Sequence, residues 1–165
     1  MSESIGIDLG TTNCCVGVWK NDQIQIVANI MGNKTTPSVI SFSKNELLIG
    51  NSAKNQITRN PENTIYDAKR LIGRNFSDEI VQKDKKFWPF KIKANKKDKP
   101  VILVKIKGEE KGFFPEQISA LILKQLKKET EDYIGKEVKN AVITVPAYFN
   151  NSKDKVQLMQ EELQD

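Results

Sequence analysis

The sequence contains no histidine among its 165 residues. That excludes His-based acid–base catalysis and a conventional zinc site. Cysteine is almost as scarce: there are two, Cys14 and Cys15, side by side. On a strand, adjacent side chains point to opposite faces, so these two are poorly placed to bridge each other. With no third cysteine, the pattern reads as a reducing compartment, with one thiol in the core and one near the surface. Aromatic residues make up 7% of the chain and form no stacking platform. Lys and Arg number 26 against 21 Asp and Glu, a net charge of +5. The lysines are interspersed with acids (KDKK, KANKKDK, KGEEKG). This is the pattern of solvated loops rather than of a nucleic-acid surface, and no nucleic-acid partner is expected. No apolar run approaches the roughly twenty residues that span a bilayer, and MSESIGID carries no signal-peptide pattern. The expected address is the cytosol, with no membrane partner. Internal repeats and low-complexity segments are absent as well.

What is present is an α/β pattern. A hydrophobic fraction of 38% suffices for a core. Residues 5–9, 14–19 and 23–28 read as three short β-branched strands in series. A polar loop over 29–37 follows, then a strand pair at 38–42 and 46–49. Short helices are expected at 53–59, stopped by Asn60-Pro61, and at 64–71, stopped by Gly73. Residues 76–98 are lysine-rich and weakly patterned. Residues 101–107 alternate as a strand that turns at Gly108-Glu109. The clearest helix is 115–134. It opens on Pro115 and Glu116, carries Ile118, Leu121, Ile122 and Leu126 with Tyr133 beyond, and closes at Gly135. That stripe reads as core. AVITV, 141–145, reads as a buried strand before Pro146, and a last helix from Asn151 or Ser152 would carry Val156, Met159 and Leu163. The order implies an α/β domain with an insertion over roughly 38–113.

One stretch carries chemistry. In IGIDLGTTNCCVGVW, Gly10-Thr11-Thr12-Asn13 joins two apolar runs. Backbone N–H groups in a tight loop can hold a phosphate, with glycine permitting close approach and threonine adding donors. The chain lacks the Gly-Lys-Ser/Thr of a P-loop and the G-x-G-x-x-G of a dinucleotide fold. A phosphate here would therefore sit at the tip of a β-hairpin. Asp8, just before Leu9-Gly10, either orders waters on a Mg²⁺ beside that phosphate or caps the turn.

IGIDLGTTNCCVGVW resembles the opening of the seventy-kilodalton heat-shock (DnaK-like) chaperones. GNKTTPSVISF, AKNQITRNPENTIYDAKRLIGR, WPF, PEQISALIL and NAVITVPAYFN resemble the same family in the same order, from Ile5 to Asn150. Sugar kinases share the opening but not the later stretches. The resemblance implies an actin-like ATPase (ribonuclease H-like) fold, first lobe only, with a mixed β-sheet and helices. The inner subdomain would be residues 1–37 and 114–165, and the outer subdomain 38–113. Gly10, Thr11, Thr12 and Asn13 match the first phosphate loop, with Asn13 where many members have tyrosine. Asp8 matches the aspartate that reaches Mg²⁺ through water. Lys69 in DAKRL matches the lysine that meets the γ-phosphate and the attacking water. Pro146 matches the switch proline that relays nucleotide state.

The resemblance also implies ATP/ADP and Mg²⁺ as cofactors. Through a full-length form it implies J-domain co-chaperones, nucleotide-exchange factors and unfolded clients as partners. The match weakens after VPAYFN, where Asp154 replaces an arginine of the relay. The second phosphate loop, the adenosine pocket, the second lobe and the peptide-binding domain are not in the sequence. The implied function is the ATP-binding segment of an ATP-dependent folding chaperone, truncated before those parts and with little or no turnover alone. Phosphate contacts from one hairpin and one lysine should give about millimolar affinity, about 4 kcal/mol. The alternative is a non-enzymatic module that binds chaperone partners.

Overall fold

The structure, a computed structural model, describes residues 3–144. Alternation of Ile5, Ile7 with Gly6, Asp8 makes β1 (Glu3–Asp8), and Cys14, Val16, Val18 alternate likewise in β2 (Asn13–Lys20). Asn21 and Asp22 both take positive φ, 54° and 58°, the two-residue turn that joins β2 to β3 (Gln23–Ile26). Strand β4 (Thr36–Pro37) pairs with the start of β2. Strands β5 (Ile40–Phe42) and β6 (Leu47–Ile49) follow, then α1 (Asn51–Lys54), β7 (Thr64–Ile65), α2 (Glu79–Asp84) and β8 (Lys91–Ala94). Next come β9 (Pro100–Ile106), β10 (Glu109–Phe113), α3 (Pro115–Ile134) and β11 (Val138–Thr144).

These strands form three sheets. The largest runs β11-β1-β2-β3, with β4 also on β2; the others are β10-β9-β8 and β6-β5-β7. β11 lies parallel to β1, with Asp8 opposite Thr144, while β2 runs antiparallel to β1. The chain is therefore an α/β protein with a mixed sheet. Ile5, Ile7, Leu9, Cys14, Val16 and Val18 on one sheet face share a single core with Ile118, Ile122, Leu123 and Leu126 of α3. On the opposite face Trp19, Ile24 and Val142 are 64%, 70% and 72% exposed. Asp8 lies on that open face.

Helix α3 is anchored at both ends. The Gln117 side chain accepts from the Phe114 N–H at 2.9 Å, and Gly135 closes the helix in the left-handed region at φ 69°. Its buried face includes Ile118, Ile122, Leu123, Leu126 and Thr130, whereas Leu121 is half-buried. Tyr133 lies at the surface, under the Lys20 ammonium at 5.4 Å.

Several local expectations are corrected. Residues 64–71 are not a helix. Thr64 and Ile65 form β7, fully buried, with Ser41 Oγ 2.9 Å from Thr64 Oγ1. Two β-branched residues gain more from that sheet than from a helix. Asp67 then takes φ 57°, and only a single 3-10 turn, Ala68–Arg70, follows. The helix expected over 53–59 shrinks to α1, and residues 55–59 continue as turns. β11 is longer than 141–145 and exposed along most of its length, because it is an edge strand among the described residues. The weakly patterned 76–98 stretch holds α2 and β8, and the chain after the Gly108 turn forms β10. Among the described residues no helix is long and apolar enough to cross a membrane.

Candidate functional site

Strands β1 and β2 are joined by residues 9–12, so Gly10-Thr11-Thr12 is the tip of a β-hairpin, entered at Asp8 and left at Asn13. The tip is tight. A Cβ added at Gly10 would lie 2.0 Å from the Asn13 carbonyl oxygen, so only glycine fits. Thr11 is half-exposed, and Thr12 and Asn13 are exposed.

Three separate segments hold this hairpin, and Cys14 of β2 braces it from within. Lys69, in the 3-10 turn after Asp67, donates from Nζ to the Leu9 carbonyl. Ser38 donates twice: Oγ–H to the Gly10 carbonyl at 2.8 Å and N–H to the Thr12 carbonyl at 2.9 Å. Cys14 Sγ sits 3.0 Å from Ser38 Oγ and 3.9 Å from the Gly10 carbonyl. Thr144 Oγ1 donates to Asp8 Oδ1 at 2.6 Å from the parallel strand β11. The 29–37 loop feeding Ser38 is itself organised by Asn29. Its side-chain oxygen accepts from the Met31 and Asn33 N–H groups, and its amide donates to Thr35 and Thr36.

The electrostatics are those of a small mixed-charge rim. Burial pushes the Cys14 thiol above its ordinary range. Hydrogen bonding with Ser38 and with the Gly10 backbone opposes that, Asp8 raises it further, and Lys69 lowers it. The thiol stays protonated at neutral pH and can donate a hydrogen bond.

Asp8, Gly10, Thr11, Thr12, Asn13 and Lys69 are therefore brought together. Lys69 joins them although it is distant in sequence and looks, in isolation, like one helix lysine among many. Pro146 and Asp154 lie outside the described residues. Ser38, Thr144 and the structural part played by Cys14 escaped sequence reading. The only available hint for Ser38 was its place after the turn-forming run Gly32–Pro37. Among the described residues no group of three or more His, Cys, Asp or Glu is placed to hold a metal. Among the described residues Asp8 accepts one hydrogen bond, from Thr144, and its exposed carboxylate retains acceptor capacity for metal-bound water. That suits Mg²⁺, which keeps several waters and takes few carboxylates.

Comparison with known proteins gives a consistent answer. The family model described as Hsp70 protein matches residues 4–157. Heat shock cognate 70 kDa protein 3 of Dictyostelium discoideum is 60% identical over 151 residues, 91% of this chain and 24% of the relative. Heat shock 70 kDa protein 2 of Paracoccidioides lutzii is 56% identical over 153 residues, 93% of this chain and 23% of the relative. A heat shock cognate HSP70 protein of Trypanosoma brucei brucei is 53% identical over 150 residues, 91% of this chain and 22% of the relative. The chain spans about a quarter of the length of these curated relatives.

Proposed function

Since this chain belongs to the Hsp70 family, we propose that it is the ATP-binding first lobe of an actin-like chaperone ATPase. In this reading residues 1–37 and 114–165 are the inner subdomain and 38–113 the outer one. The observation that carries the reading is the convergence of Lys69 and Asp8 on the Gly10–Asn13 hairpin. Backbone N–H groups of the tip and the hydroxyls of Thr11 and Thr12 donate to phosphate oxygens. Among the described residues Lys69 gives one N–H to Leu9; its further N–H groups would meet a phosphate oxygen, where its charge offsets negative charge developing in phosphoryl transfer. Asp8 would hold water ligands of Mg²⁺, which supplies charge neutralisation at the phosphates when bound. Hydrolysis, co-chaperones, exchange factors, clients, a cytosolic address and a relay through Pro146 belong to the whole protein in this proposal.

The test is calorimetric titration of Mg-ATP into the 165-residue chain. About millimolar affinity, weakened by Lys69→Met, is the expected result. No binding at millimolar nucleotide would overturn the reading and leave a non-enzymatic interaction module.

A further inference from the structure

Among the described residues Ser38 is the one that grips the hairpin tip at two carbonyls, Gly10 and Thr12. It comes from 28 residues away and is buried, 8% exposed. The geometry carries a direction. Among the described residues no peptide bond is cis. In a planar trans peptide the N–H of one residue points opposite to the C=O of the residue before it. With the Gly10 and Thr12 carbonyls turned inward onto Ser38, the N–H groups of Thr11 and Asn13 turn outward. Ser38 has one hydroxyl hydrogen, and the Gly10 carbonyl can only accept it. With that hydrogen on Gly10, the Cys14 thiol, 3.0 Å away, is placed to donate to Ser38 Oγ, and the thiol hydrogen also lies within reach of the Gly10 carbonyl at 3.9 Å. The result is a directed chain, Cys14 S–H to Ser38 Oγ–H to Gly10 C=O. It fixes the serine rotamer and, through it, the tip.

We propose that Ser38 is the positioning residue of the phosphate loop, held in place by the Cys14 thiol, and that it aims the Thr11 and Asn13 N–H groups at a phosphate. The phosphate half of this inference rests on the ATP-binding reading above. The arrangement is preorganisation: donors set before ligand arrives need no reordering when it binds.

The experiment compares the 165-residue chain with Ser38→Ala, Ser38→Thr, Cys14→Ala and Cys14→Ser. Two readouts are taken. The first, without nucleotide, is amide hydrogen exchange at residue 38, whose N–H is bonded to Thr12, with α3 and β9 amides as internal controls. Loss of one net hydrogen bond predicts about 5- to 10-fold faster local exchange in Ser38→Ala. Exchange in Ser38→Thr should stay within about 2-fold of wild type, because the hydroxyl is retained. Cys14→Ala should resemble Ser38→Ala, and Cys14→Ser should resemble wild type. The α3 and β9 amides should not change. The second readout is Mg-ATP affinity, expected to fall about 10-fold in Ser38→Ala and to be restored in Ser38→Thr.

Unchanged exchange at residue 38 in Ser38→Ala would overturn the clamp. Changed exchange with unchanged ATP affinity would overturn its role in aiming the loop. If the wild-type chain binds no Mg-ATP, the ATP reading and the phosphate half both fall, and the exchange data alone still decide the clamp.

Discussion

Lys69 Nζ donates to the Leu9 carbonyl, joining residues 60 positions apart at the mouth of the hairpin. The amine is thereby held beside the Gly10–Asn13 hairpin tip. Lys69→Met preserves much of the side-chain length and removes the charge. In the whole protein we expect ATP hydrolysis to fall about 100-fold or more, while nucleotide affinity changes far less. Single-turnover hydrolysis and equilibrium binding separate the two effects. Undiminished turnover would strip Lys69 of this role.

Gly10 leaves no room for a side chain, since a Cβ would sit 2.0 Å from the Asn13 carbonyl oxygen. That neighbour is backbone and cannot rotate away. Gly10→Ala should therefore force the tip open, at a cost of about 1–3 kcal/mol. Urea melts of the two chains measure that cost. The same variant should lose Mg-ATP binding, and a variant of wild-type stability and affinity would contradict the close approach.

The hairpin was legible because its signals are local: β-branched alternation on both sides, a glycine, and small polar residues between. Helix α3 was legible for the same reason, with Pro115 and Gly135 marking its ends. The 64–71 stretch misled because Thr64 and Ile65 pair with Ile40 and Ser41 far back in the chain, and sequence periodicity does not record such a partner. Lys91–Ala94 was equally opaque, since its pairing with β9 outweighs its lysines. Ser38 illustrates the limit best. Nothing in its neighbourhood in sequence says that its hydroxyl will meet Gly10, because that contact exists only once β4 has paired with β2.

Asp8 accepts a hydrogen bond from Thr144 on the neighbouring strand. Asp8→Asn keeps an acceptor oxygen for that hydroxyl and loses the charge. Stability should therefore shift by no more than about 0.5 kcal/mol, as at other exposed positions. The magnesium dependence of ATP binding should weaken, because a neutral amide is a poorer acceptor for metal-bound water. Titrations with and without Mg²⁺ check this. An undiminished magnesium effect would take Asp8 out of the metal site.

Cys14 gives the fold a pH dependence of defined sign. Burial raises its pKa in the folded chain, so the folded state keeps the thiol proton where the unfolded chain has lost it. The contribution is fully present below the ordinary thiol value, about 8.5, and is lost as pH rises from there through the folded value. The slope for one group cannot exceed about 1.4 kcal/mol per pH unit. Tyr66, whose pKa is also raised by burial, adds a background common to every variant. Comparing wild type with Cys14→Ser removes that background, since serine keeps a donor for Ser38 but does not ionise in this range. Urea melts at pH 7 and pH 10 should show wild type losing more stability than Cys14→Ser over the interval. Equal losses would mean that Cys14 ionises in the folded chain as readily as in the unfolded one, and that its thiol is not the buried donor to Ser38.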